Sequence, residues 1–145
     1  MATHNRTGRW GEDIALTYLE KKAYRILERN WHAGHKELDI IALDGNTLVI
    51  VEVKTRSSDD YEEPWQAVTS LKIKRIVQAA NLYIRQKAID AEVRFDIVSV
   101  VMRPDGQAEI DQPLHISFND SSVGTRGDRL EKIGVRFFCK NARAG

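Results

Sequence analysis

Glu52 and Lys54 stand two residues apart in Val49-Ile50-Val51-Glu52-Val53-Lys54, a run otherwise apolar enough for a buried strand. Residues at i and i+2 of a strand share one face, so an acid and a base project side by side from an apolar surface. A second run, Glu37 to Asp44, precedes it and carries Asp39. Gly45-Asn46 between them reads as a two-residue hairpin turn. With that turn Asp44 faces Thr47, Ile41 faces Ile50 and Asp39 faces Glu52. A turn at Asp44-Gly45 leaves Asp39 on the same face, opposite Ile50. A three-residue loop without a bulge moves it to the other face.

Directly opposed carboxylates have Cβ atoms about 5 Å apart. At an effective dielectric near 20 they repel by roughly 3 kcal/mol, a large cost against a total stability of roughly 5–15 kcal/mol. Protonation of one acid, pairing with Lys54 or a bound cation could offset it. A single lysine leaves the pair at −1, so a divalent ion fits better, and hard carboxylate oxygens suit Mg²⁺ or Mn²⁺. An acid and a lysine on a strand are more often a surface ion pair worth under about 1 kcal/mol. The opposed Asp39, in a hairpin apolar on both faces, shifts the balance toward chemistry.

The elements around the hairpin follow from periodicity. Gly8 to Lys22 is helical, with Trp10, Ile14 and Tyr18, or Ala15 and Leu19, at core spacing and Thr7 as N-cap. Tyr24 to Trp31 alternates as a strand, followed by a loop from His32 to Lys36. Leu38, Ile40, Ala42, Val49, Val51 and Val53 form one face of the hairpin. Asp39, Ile41, Leu43, Leu48, Ile50, Glu52 and Lys54 form the other. A sheet apolar on both faces needs cover on both. After Pro64 a helix is expected, with a break near Thr69-Ser70 and a stripe of Ile73, Ile76, Val77, Ala80 and Ile84. Glu92 to Met102 is a further strand, with edge strands after it. The predicted architecture is an α/β sandwich, a central mixed sheet flanked by helices in the order α-β-β-β-α-β-β.

The 145 residues suit one domain, 42% hydrophobic and 30% charged. Residues 1–120 are expected to hold it, with 121–145 as a basic tail not committed to structure. That tail has a net charge of +4 and the remainder −3, a distribution compatible with phosphate binding and equally with a solvated terminus. Cys139 is the only cysteine, and no apolar stretch suits a membrane span or a secretory leader. The expected location is therefore the cytoplasm.

Asp39, twelve residues, then Glu52-Val53-Lys54 ahead of an amphipathic helix resembles the PD-(D/E)XK nuclease superfamily. Three longer stretches, from Gly8 to Trp31, Glu37 to Arg56, and Ala67 to Val100, resemble the YraN family of small bacterial proteins, similar to archaeal Holliday-junction resolvases. The resemblance implies a restriction-endonuclease-like α/β/α sandwich. It implies that Asp39, Glu52 and the Val53 carbonyl bind Mg²⁺ or Mn²⁺, with Glu12 reaching the metal directly or through water. Lys54 would orient or deprotonate the attacking water and stabilise charge on the phosphate. The family's Gly-Glu-Ile/Leu-Asp is here Gly34-His35-Lys36-Glu37-Leu38-Asp39, so a longer loop is expected before Asp39.

Other residues are candidates on weaker grounds. Arg56, Lys72, Lys74 and Arg75 could follow a nucleic-acid backbone, although charges on a helix face are as often simply solvated. Gly8 and Gly11 could admit phosphate or allow tight packing. Gln66 and Glu37 could support the site. His32 and His35 lack the further ligands a zinc site needs. Trp10, Trp31 and Trp65 read as core, with base stacking open. Asp96 reads as a buried hydrogen-bonding group.

The expected function is hydrolysis of DNA phosphodiesters by a divalent-metal-dependent nuclease acting on branched or structured DNA in repair or recombination. The rivals are a nucleic-acid-binding or genome-maintenance adaptor without useful turnover, and an α/β module for a protein partner. No membrane or small-molecule cofactor is expected. Junction resolution would require a symmetric homodimer.

Overall fold

The computed structural model describes residues 2–59, 69–111, 113–119 and 134–138. In chain order the elements are α1 (Ala2–Lys21), β1 (Arg25–Ala33), β2 (Lys36–Asp44), β3 (Thr47–Ser57), α2 (Ser70–Lys87), β4 (Glu92–Met102), β5 (Ala108–Ile110), β6 (Leu114–Asn119) and β7 (Gly134–Phe138). The sheet runs β1-β2-β3-β4-β6-β7, with β5 also pairing with β4. Only β3 and β4 run parallel among these pairs, and α2 lies between them in sequence. This is the expected mixed sheet between helices. β7 lies within the segment set apart as a tail and pairs with β6.

Two apolar layers hold the sandwich together. On the α1 face, Ala15 and Leu19 pack with Ile40, Ala42, Val49, Val51, Val98 and Val100. On the other, Val77, Ala80 and Tyr83 of α2 meet Ile41, Leu48, Ile50, Phe95 and Ile97. Burial on both faces explains the unbroken aliphatic run from Leu48 to Val51 in β3 and the burial of Phe95 to Val100 in β4.

Capping sets where α2 begins. Thr69 is extended (φ −72°, ψ 157°) and its side chain accepts the Lys72 N–H, satisfying one of the helix's orphan donors. The expected break at Thr69-Ser70 is thus the helix start, while residues 60–68, including Trp65 and Gln66, lie outside the described residues. Helix α1 instead begins at Ala2, so Thr7 is inside it rather than at its cap.

The β2–β3 register is the one expected from a Gly45-Asn46 turn, pairing Asp44 with Thr47 and Ile41 with Ile50. It ends at Ile40 and Val51, although both strands continue. Beyond that row β2 stays with β1 and β3 stays with β4. The sheet therefore parts into a notch between β2 and β3, and Asp39 and Glu52 are its first residues.

At the same level the outer hairpin turns over. Asn30 has φ +49°, a left-handed conformation that asparagine tolerates better than most residues. Ile40 packs on the α1 side, whereas Leu38 joins Trp31 and Tyr83 on the α2 side. Leu38 is thus not on the face expected from simple alternation. Strand β1 changes sides in step, with Arg29 bonded to Asp13 of α1 and Trp31 edge-on to Tyr83 of α2 at 5.3 Å. The hairpin closes through a Gly34-His35 turn, with Gly34 at φ +61° and Ala33 paired with Lys36. The expected loop from His32 to Lys36 is therefore shorter.

Gly11 is buried where α1 crosses β3. A Cβ there would stand 1.9 Å from Thr55 Oγ1 and 3.1 Å from Thr55 Cβ. Gly8 has open space around it. Gly11→Ala should therefore destabilise the protein by about 1–3 kcal/mol through overpacking, while Gly8→Ala should stabilise it by about 0.5–1 kcal/mol through helix propensity. Urea unfolding midpoints measure both, and a loss of stability at Gly8 or none at Gly11 would contradict the packing described.

Candidate functional site

Asp39 lies where regular pairing stops, and its carboxylate takes over a ladder bond. Asp39 Oδ2 accepts the Val53 N–H at 2.8 Å, a donor that would otherwise face the gap without a main-chain partner. The expected face-to-face Asp39/Glu52 pair is therefore replaced by an acid bound in the notch, next to an acid on the α2 side of β3. Glu52 is only 17% exposed and bonds Lys72 Nζ through Oε1 at 2.7 Å.

Burial raises the Asp39 carboxyl to a pKa of about 7, reinforced by the charges of Glu52 and Glu12 and opposed by the Val53 N–H and Lys72. Asp39, Glu52 and Glu12 therefore share one electrostatic neighbourhood, although Glu12 comes from α1 and Glu52 faces α2. Among the described residues no three His, Cys, Asp or Glu side chains are grouped so as to hold a metal ion, so Glu12 does not join Asp39 and Glu52 as a third carboxylate ligand here. That argues against a zinc-type cage, and His32 instead lies 3.7 Å from Glu37, both exposed.

Lys54 continues the Glu52 face and has no ion-pair partner among the described residues. Its register partner on β4 is Ser99, whose buried Oγ has no hydrogen-bond partner among the described residues. A groove of about 760 Å³ leads from Glu52 along the start of α2, lined by Lys36, Glu37, Lys72 and Arg75 among others. Lys74 is exposed but does not line it. Arg56 is bonded to Asp111 and stands outside the groove lining. Gly11 packs against β3, and Gly8 lies on α1. Gln66 lies outside the described residues.

The profile of the uncharacterised protein family UPF0102 matches residues 11–100, most of the sandwich and all of the notch. The chain belongs to this family. A UPF0102 protein of Bacteroides fragilis is 54% identical over 101 residues, 70% of this chain and 84% of the relative. UPF0102 proteins of Bacteroides thetaiotaomicron and Flavobacterium psychrophilum are 52% and 50% identical, covering 70% and 69% of this chain and 84% of each relative. The UPF0102 membership agrees with the YraN resemblance read from the sequence.

Several features of this UPF0102 site had no sequence signal. Lys72 is twenty residues from Glu52, and nothing in its helix marks it as that acid's partner. Asn30 shows no pattern for its left-handed backbone. Asp96 does behave as expected: it is 2% exposed, bonded to His115 Nδ1 at 2.6 Å and to Arg94 Nε at 3.1 Å. Arg94 extends that network to Asp44 and the Tyr24 hydroxyl. Among the described residues, no helix is long and apolar enough to cross a membrane.

The Asp39 pKa has a consequence for stability. Because it is raised from 3.8 to about 7, the folded chain holds a proton that the unfolded chain has lost over that interval. The stabilisation is full below pH 4 and disappears as pH rises through 7. The stability of Asp39→Asn, which keeps an acceptor for the Val53 N–H, should rise relative to the wild type by about 1–3 kcal/mol between pH 5 and pH 8. Denaturation in chelator at the two pH values tests this, and an equal difference at both would refute it.

Proposed function

We propose that the notch is the active site of a divalent-metal-dependent nuclease that hydrolyses DNA phosphodiesters, with branched or structured DNA as its substrate. The observation that carries this reading is the parting of β2 and β3. It sets Asp39 next to Glu52, with Lys54 two residues further along the Glu52 face, and Glu52 also lines a groove that carries Lys36, Lys72 and Arg75.

The donor set fits Mg²⁺ or Mn²⁺. These ions prefer carboxylate oxygens and are commonly held by one or two protein carboxylates together with water and substrate phosphate, and Asp39 and Glu52 offer such a pair. Asp39 and Glu52 would hold the ion with the Val53 carbonyl, and Glu12 would approach from the α1 side. When bound, the ion supplies a more acidic water and neutralises charge on the phosphate. Lys54 orients the attacking water and stabilises the negative charge that develops as oxygen adds to phosphorus. Lys36 and Arg75 hold the backbone in the groove.

A second reading, a nucleic-acid-binding adaptor without turnover, is favoured by one observation: Lys72 already neutralises Glu52. The deciding experiment is cleavage of labelled four-way junction, flap, nicked, single-stranded and duplex DNA with Mg²⁺ or Mn²⁺. Metal-dependent cleavage that falls about a hundredfold or more in Glu52→Ala and in Lys54→Ala is expected. Binding of branched DNA without cleavage would establish the adaptor. Neither binding nor cleavage would remove both readings.

A further inference from the structure

Lys72 stands in the first turn of α2, whose backbone N–H groups already make that end of the helix positive. No acidic residue lies in that turn to compensate. The side chain is 40% exposed and could extend into solvent, yet Nζ sits 2.7 Å from Glu52 Oε1, a carboxylate that is only 17% exposed. A charge-assisted bond to a poorly solvated acid accounts for a cation held at this place.

We infer that Lys72 is the resident counter-ion of the acid pair, and that a divalent cation must displace its ammonium from Glu52 to bind. This rests on the metal-site reading of the notch. The same carboxylate oxygen cannot serve both cations fully, and two positive charges at one acid repel. Lys72 therefore sets the metal affinity of the site by competition. Displacement leaves its ammonium in the groove that Arg75 lines one helical turn further on.

Calorimetric titration of the full chain with Mn²⁺ alone, without nucleic acid, tests this. Lys72→Met and Lys72→Gln should each bind Mn²⁺ about tenfold more tightly than the wild type, whereas Lys72→Arg should stay close to it. Agreement between the Met and Gln variants excludes a packing defect peculiar to one of them, and circular dichroism confirms that each is folded. Glu52→Gln should weaken binding. If Glu52→Gln loses Mn²⁺ affinity but removing the Lys72 charge leaves it unchanged or lower, Lys72 is not a competitor and the inference fails while the metal site stands. If neither the wild type nor the Lys72 variants bind Mn²⁺, or a measurable wild-type affinity survives Glu52→Gln unchanged, the metal-site reading falls and takes this inference with it.

Discussion

The bond from the Val53 N–H to the Asp39 carboxylate is the interaction on which the site depends. A β-sheet can part only where its exposed donors and acceptors find other partners. Here a side chain provides one, so β2 and β3 separate with an acid lying between them. The same substitution puts that acid in a poorly solvated place beside Glu52, which is why it resists ionisation. Structural need and electrostatic tension are combined in one carboxylate.

The rest of the sandwich keeps the notch from closing or widening. Strand β3 remains paired with β4 along its whole length, from Thr47 with Glu92 to Ser57 with Met102, so Glu52 and Lys54 sit on a fixed support. On one side Gly11 lets α1 approach Thr55 closely, bringing Glu12 toward the same level. On the other, the Thr69 cap fixes the start of α2 and thereby the reach of Lys72. The outer hairpin is anchored separately, through Trp31 on Tyr83 and Arg29 on Asp13. Each wall of the notch thus has its own attachment to a helix.

Two charge clusters on the sheet differ in how their acids are paired. Near the β2–β3 turn, Arg94 joins Asp96, Asp44 and Tyr24, and Asp96 also meets His115. That network is internally satisfied. The notch is different: two acids stand against one lysine bonded to one of them. In the first cluster each acid is bonded to the Arg94 guanidinium, whereas in the notch Asp39 is bonded, among the described residues, only to a main-chain N–H, and an acid without its own cation is poised to take up another charge.

Local chemistry made much of this legible in the sequence. Gly45-Asn46 set the hairpin register, alternation placed Glu52 and Lys54 on one face, and apolar runs on both faces required helices on either side. These properties depend on neighbours close in the chain, where strand and helix periodicity apply directly. Tertiary structure alone decided that the ladder stops before Asp39, that the outer hairpin turns over near Asn30 with Leu38 on the α2 side, and that Lys72 reaches Glu52. Each depends on groups brought together from separate elements. Strand periodicity holds only while pairing continues, and the notch begins where that pairing ends.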